Sequence, residues 1–195
     1  MTADIPEVVK IWKIGGGSGK LSAINNYQDN HGANLFCTKN NKYLSWKKMP
    51  VGINLDFISQ ATVKKVHFKL PDGKERPILS GEMVAFGIGG GEAYLQYAER
   101  DLGVNLKWNK KPIFEWKLYS GPAGSPIEYG APVAIVNIRV KPAADFLIYF
   151  DRPAGHADVG WTTSPQFWNN LANAAIKKGL EAAKKYVAAQ VGVAA

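Results

Sequence analysis

The sequence predicts an all-β protein of three repeated units, each with four strands in about fifty residues, followed by a C-terminal amphipathic α-helix. Three observations predict this fold class. Short apolar runs alternate with turn residues up to about residue 164, a longer pattern recurs three times, and alanine, leucine and lysine dominate the remainder. We therefore divide the chain into a β domain, residues 5–165, and a basic helix, residues 166–195.

The repeat is clearest in the third and fourth strands of each unit. KYLSWKKMPVGINLDF at 42–57 matches AYLQYAERDLGVNLKW at 93–108, and DFLIYFDRPAGHADVGW at 145–161 is a looser copy with one inserted residue. Residues two apart face the same side of a strand, so the apolar residues that recur at this spacing are expected to fill a core. The predicted core positions are Leu44, Trp46, Leu55, Phe57, Leu95, Tyr97, Leu106, Trp108, Leu147, Tyr149, Val159 and Trp161.

The first two strands of each unit follow the same scheme. The first strands are KIWKI, VHFKL and FEWKL, and each meets a turn rich in glycine or proline. The second strands are ANLFC, MVAFGI and PVAIVNI. Cys37 ends the first of these and is predicted to be a core residue.

The repeated Tyr-Leu and Gly-x-Asn-Leu signatures resemble the β-trefoil superfamily. In particular, the hairpins NNKYLSW and EAYLQY are similar to those of fascin-like and agglutinin-type trefoil domains. The resemblance covers about residues 5–165 and implies a small closed barrel with pseudo-threefold symmetry. Trefoils include lectins, toxins, cytokines, actin bundlers and protease inhibitors, so the resemblance implies a fold rather than one activity.

The tail begins with Ser164 as a helix N-cap and Pro165 in the first turn. Its apolar face holds Trp168, Ala172, Ile176, Ala183, Val187 and Val191, with Leu180 beside them. Three interpretations stay open: the helix packs on the barrel, forms oligomers, or binds a membrane surface. The residues for a membrane or partner contact are Trp168, Lys177, Lys178, Lys184, Lys185 and Tyr186.

The start of the tail also predicts how the β domain closes. Residues 165–167 match residues 112–114, where the second unit continues into a strand instead of a helix. We therefore expect the N-terminal strand, KIWKI, to take the place that this missing strand leaves open.

Composition favours an anionic partner. The formal net charge is +8, from 24 basic and 16 acidic residues, although such a charge also serves solubility. The opening MTADIPEVVK lacks the pattern of a secretory signal, no segment reaches membrane-spanning length, and one cysteine precludes an internal disulfide. These features predict a cytoplasmic protein, with leaderless release as an open alternative.

Several kinds of site are excluded by residue spacing. The segment GGGSGK looks like a phosphate-binding loop, but Ile14 and Leu21 stand where the motif needs glycine and a hydroxyl residue, so no nucleotide is predicted. His156 and Asp158 share a turn without a second His/Cys cluster near them in sequence. We predict no metal, no cofactor and no catalytic residues.

A candidate ligand site lies in the turns between the third and fourth strands. Carboxylate, guanidinium and amide groups beside an aromatic face are what a glycan site uses to bind hydroxyls and stack a sugar ring. The alternative is that the Asn and Asp residues serve turn geometry and that Glu99 and Arg100 form a solvated pair. The predicted ligand residues are Asn54, Glu99, Arg100, Asn105, Trp108, Asp151, Arg152, Asp158 and Trp161.

These observations predict a non-enzymatic recognition protein, a lectin-like trefoil that binds a glycan or another anionic surface ligand, with a role in defence or as a toxin. One alternative is a membrane-active or insecticidal toxin that uses the C-terminal helix. Another is a cytoskeletal binder that resembles fascin-type trefoils. Nucleic acid is a disfavoured partner.

Overall fold

The computed structural model describes residues 5–25, 31–46, 55–59, 64–89, 93–99, 105–140, 144–151, 157–162, 178–182, 184–185 and 187. Within these ranges it contains twelve strands, and the fold is predominantly β, as predicted. The strands are β1 (Trp12–Gly15), β2 (Asn34–Cys37), β3 (Lys42–Trp46), β4 (Leu55–Ile58), β5 (Val66–Lys69), β6 (Met83–Ile88), β7 (Ala93–Tyr97), β8 (Leu106–Asn109), β9 (Phe114–Tyr119), β10 (Pro132–Asn137), β11 (Asp145–Asp151) and β12 (Ala157–Trp161). A 3₁₀ turn at Glu7–Val9 precedes β1, and residues 178–182, 184–185 and 187 are α-helical.

Each group of four consecutive strands pairs in chain order, so β1–β4, β5–β8 and β9–β12 form three antiparallel meanders. We call them units 1, 2 and 3. Between units, the first strand of one unit pairs with the second strand of the preceding unit: β9 with β6, and β1 with β10. A single bridge from Ala33 to Val66 joins β5 to the residue before β2. The sheet is therefore curled, and the N-terminal strand closes against unit 3 as expected.

Two buried tryptophans connect the units across the sheet. Nε1 of Trp12 donates to the carbonyl oxygen of Leu147 at 2.9 Å, and Nε1 of Trp116 donates to that of Leu95 at 2.8 Å. Both tryptophans sit in the first strand of a unit, and both leucines sit in the third strand of the preceding unit. Phe68 occupies the matching position in unit 2 and has no such donor.

The turns after the three first strands meet in a ring of hydrogen bonds. The amide of Leu21 donates to the carbonyl of Ile127 at 2.7 Å, that of Ile127 to Ile78 at 2.9 Å, and that of Ile78 to Leu21 at 2.9 Å. All three side chains are buried. Each turn thus provides a carbonyl that accepts a hydrogen bond from a backbone amide of another turn, and its apolar side chain is buried in the core.

The core follows the repeat positions closely. Of the predicted core residues, Leu44, Leu95, Leu106, Leu147, Val159 and Trp161 are buried, whereas Trp46, Leu55, Phe57, Tyr97, Trp108 and Tyr149 are half-buried and pack against the core. Cys37 is fully buried, which confirms its assignment to the core, and burial raises the pKa of its thiol.

Candidate functional site

The predicted ligand residues that the structure describes belong to two separate hairpins, one in unit 2 and one in unit 3. In unit 2, Glu99 is exposed and Asn105 half-buried, and the amide of Ala98 donates to the carbonyl of Asn105 at 3.1 Å, which closes that turn. In unit 3, Asp151 pairs with Ala157 and Asp158 with Phe150 in the β11–β12 ladder. The predicted residues Asn54, Arg100 and Arg152 lie outside the described residues.

The two tryptophans that were predicted to stack on a sugar ring pack in or against the core. Trp161 is 7% exposed, and its ring lies 6.2 Å from Trp116 in a stacked arrangement and 6.1 Å from Tyr97 edge-on. Trp108 is half-buried, packs against the core and stands opposite Leu95 in the ladder. Burial leaves no open ring face on Trp161 for a sugar, in line with its predicted core position.

The outer face of unit 1 carries aromatic side chains that are only half-buried. In the register of the sheet, Lys13 stands opposite Phe36, Phe36 opposite Tyr43, and Tyr43 opposite Ile58. Their neighbours along each strand, such as Trp12 and Leu44, are fully buried and face the core. Because side chains alternate along a strand, the four residues share the outer face, and we call them the aromatic strip.

The aromatic pair at the centre of the strip has an edge-to-face geometry. The ring centroids of Phe36 and Tyr43 lie 5.1 Å apart at an interplanar angle of 63°, an edge-to-face contact. Lys13 is exposed, and Phe36, Tyr43 and Ile58 are each half-buried. The strip therefore combines accessible aromatic surface with an ammonium group.

Polar residues border the strip one step further along the strands. Asn34 precedes Phe36 by two residues, and Ser45 and Asp56 stand opposite each other at the same level of the sheet. Nζ of Lys65 donates to Oδ1 of Asn34 at 2.9 Å. An amide, a carboxylate and an ammonium group thus adjoin the aromatic pair, and these are group types that bind sugar hydroxyls, whereas Ser45 is buried.

The equivalent aromatic residue of unit 2 is covered. Tyr94 matches Tyr43 in the repeat, but it is only 1% exposed. The ring of His67 contacts it edge-on at 5.6 Å between centroids, and Nζ of Lys69 lies 5.8 Å from the centre of the tyrosine ring. Unit 2 therefore lacks the accessible aromatic surface of unit 1.

The equivalent aromatic residue of unit 3 is also covered. Phe146 matches Tyr43, and both it and the preceding Asp145 are buried. Oδ1 of Asp145 accepts hydrogen bonds from the amide of Phe146 at 2.9 Å and from the hydroxyl of Thr162, and Nζ of Lys184 lies 2.7 Å from it. The helical residues Leu180 and Val187 are buried in the same apolar cluster as Phe146.

These contacts bear on the predicted membrane or partner residues. Lys184 is 16% exposed and ion-paired to Asp145, whereas Lys178 and Lys185 are exposed. Trp168, Lys177 and Tyr186 lie outside the described residues. The described part of the helix therefore packs on the β domain, which is one of the three open interpretations of the tail.

Two buried titratable residues stand at equivalent positions of the first strands. His67 has a pKa lowered to about 4, chiefly because burial disfavours its charged form and additionally because Lys69 is near. Burial raises the pKa of Glu115, although the amide of Tyr97 and Nδ2 of Asn137, the latter at 3.0 Å, donate to its carboxylate. His67 and Glu115 belong to different units, and the described residues contain no group of three metal-ligating side chains.

The glycine-rich segment that suggested a phosphate loop packs against unit 3. A Cβ on Gly17 would lie 2.6 Å from the ring of Tyr129, so only glycine fits beneath this ring. The amide of Tyr129 donates to the carbonyl of Gly19 at 2.9 Å. Close packing of one turn on the next thus accounts for Gly17.

Sequence reasoning missed the aromatic strip because it assigned ANLFC and KYLSW to core strands without their register. Among the described residues, none of the helices is long and apolar enough to span a membrane. No protein-family model, curated protein or solved structure matches this chain significantly.

Proposed function

We propose that the curled sheet is a β-trefoil of three repeats, related to the fascin-like and agglutinin-type domains that the sequence resembles. Three regularities support this: the chain-order pairing within units, the pairing of each first strand with the preceding unit, and the ring of turns at Leu21, Ile78 and Ile127. The matching bonds of Trp12 and Trp116 follow the same cyclic order.

We infer that the protein is a non-enzymatic recognition module that binds a glycan on the aromatic strip. The observation that carries this is the half-buried edge-to-face pair of Phe36 and Tyr43 on the outer face of unit 1. A sugar ring presents an apolar C–H face to an aromatic ring while its hydroxyls bind polar groups. Asn34 and Asp56 supply such groups at the border of the strip.

Comparison of the three units supports the choice of this face. His67 and Lys69 lie against the ring of Tyr94, and Phe146 is 1% exposed. Unit 1 alone among the described faces leaves its repeat aromatic half-exposed. The turn residues Glu99 and Asn105 belong to unit 2 and form a separate candidate contact of the same chemical kind.

Binding to a glycan array, followed by calorimetry with the best oligosaccharide, tests this proposal. Tyr43→Leu keeps apolar packing but removes the aromatic ring, so we expect affinity to fall about tenfold or more, since stacking contributes on the order of 1 kcal/mol or more. Phe114→Leu is the matched control, because Phe114 is also half-buried and belongs to unit 3. An array with no binding, or equal affinities for both variants and the wild type, would refute the proposal.

The membrane-active alternative has less support. Binding lipid through the apolar face of the helix would require Leu180 and Val187 to leave the core and Lys184 to leave Asp145. Liposome leakage that disappears when residues 166–195 are deleted would favour that alternative, and co-sedimentation with actin filaments would favour the cytoskeletal one.

A further inference from the structure

The aromatic strip is flanked by lysines for which the structure shows no acidic partner. Lys13 lies within the strip, Lys42 lies one ladder position beyond the pair of Phe36 and Tyr43, and Lys39 lies in the turn of the β2–β3 hairpin. All three are exposed, and none of them takes part in an ion pair with the residues that the structure describes.

A fourth ammonium group stands at the other end of the aromatic pair. Lys65 donates to Asn34, which lies two residues from Phe36 in the direction away from the hairpin tip. From Lys42 to the level of Ser45 the strand advances about 10 Å, at roughly 3.3 Å per residue. Positive charge therefore stands on both sides of the aromatic surface, over a length that a short oligosaccharide spans.

We propose that the aromatic strip binds an acidic saccharide, with Tyr43 against a sugar ring and Lys13 and Lys65 paired to carboxylate or sulfate groups. This inference rests on the proposed glycan-binding function and names its ligand class. Asp56 is the acidic residue on this face, and its Oδ1 accepts a hydrogen bond from the amide of Phe57 at 2.8 Å. Three lysines on and beside the strip outnumber it, which leaves the surface cationic.

The test compares three dextran oligosaccharides of equal length: unmodified, carboxymethylated and sulfated. We expect both acidic forms to bind more tightly than the neutral form, by about tenfold at low salt, and the difference to shrink as salt screens exposed charges. Lys13→Gln should lower affinity for the acidic forms about two- to fivefold, the range for one exposed ion pair, and Lys65→Gln should lower it as well. Affinity for the neutral form should not change.

Lys110→Gln is the matched control, because Lys110 is exposed and follows β8 in unit 2. Inorganic sulfate serves as the probe for a simple anion site, and we expect it not to compete. Equal affinities for neutral and acidic dextrans would overturn the inference and leave the glycan function standing. Binding of inorganic sulfate as tight as that of sulfated dextran would also overturn it, whereas a glycan array without any binding would refute the glycan function itself.

Discussion

Trp116 donates its indole N–H to the carbonyl oxygen of Leu95 at 2.8 Å, and both residues are fully buried. The bond joins the first strand of unit 3 to the third strand of unit 2. Trp12 makes the matching bond to Leu147, which joins unit 1 to unit 3. A buried donor and acceptor that lose each other retain their desolvation cost, so these bonds matter more than exposed ones.

We predict that Trp116→Phe lowers the free energy of unfolding by about 1–3 kcal/mol through the lost hydrogen bond, in addition to the cost of lost ring volume. Phe68 at the equivalent position shows that the fold accepts phenylalanine there. Trp161→Phe is the control, since the indole N–H of Trp161 has no hydrogen-bond partner among the described residues. Urea unfolding measures both, and equal losses would contradict a role for the bond.

The sequence allowed the strands, the units and most of the core to be predicted, because turn residues and period-two alternation are local signals. It also placed Leu44, Leu95 and Leu147 in the core, through their recurrence. It could not supply the strand register that sets Lys13, Phe36 and Tyr43 side by side, because register depends on pairing between distant segments.

The local sequence could not predict either which of the three equivalent aromatic residues would be covered by other parts of the protein. Tyr43, Tyr94 and Phe146 are equivalent in the repeat and similar in chemistry. Their exposures differ: His67 and Lys69 lie against Tyr94, Phe146 is buried in the apolar core, and Tyr43 is half-buried. The site prediction concentrated on the turns because polar residues recur there, whereas the strip is mainly apolar and resembles a core pattern.

We predict that Lys184→Met lowers the free energy of unfolding by about 3 kcal/mol, because it leaves the buried carboxylate of Asp145 without its cation. The double variant with Asp145→Asn should lose less than the sum of the single variants, since the two residues act as a pair. Lys185→Met changes an exposed neighbour and should have almost no effect.

Limited proteolysis shows where that stability is lost. Faster cleavage within residues 166–195 in Lys184→Met would indicate that the pair holds the helix on the curled sheet. An unchanged unfolding midpoint together with an unchanged cleavage rate would contradict the packing of the tail through this pair.

We predict that His67 makes the protein less stable in mild acid. Its pKa is about 4 in the folded protein against 6.5 for an ordinary histidine, so between these values the unfolded chain binds a proton that the folded chain does not. The contribution of the neutral ring is therefore fully present above pH 6.5 and is lost as the pH falls towards 4. The difference corresponds to about 3 kcal/mol.

Urea unfolding across this pH range measures the slope, and His67→Gln and His67→Phe should both reduce it, whichever of them folds better. His31→Gln is the control at an exposed histidine. A His67 ring that titrates near pH 6.5 by NMR in the folded protein would contradict the prediction.

We predict that Glu115 changes the pH dependence of stability in the opposite direction from His67. Burial raises the pKa of its carboxyl above the ordinary 4.5, so the folded state favours the protonated form. Its contribution to stability is present below pH 4.5 and is lost as the pH rises through the raised folded pKa.

Glu115→Gln keeps an oxygen that can accept from the amide of Tyr97 and from Asn137 while removing the buried charge. We therefore expect this variant to be at least as stable as the wild type at pH 7 and to have no such advantage at pH 4. Glu128→Gln, at an exposed position, should show neither effect. A loss of more than about 1 kcal/mol at pH 7 for Glu115→Gln would mean that the carboxylate contributes net stabilising hydrogen bonds in its charged form.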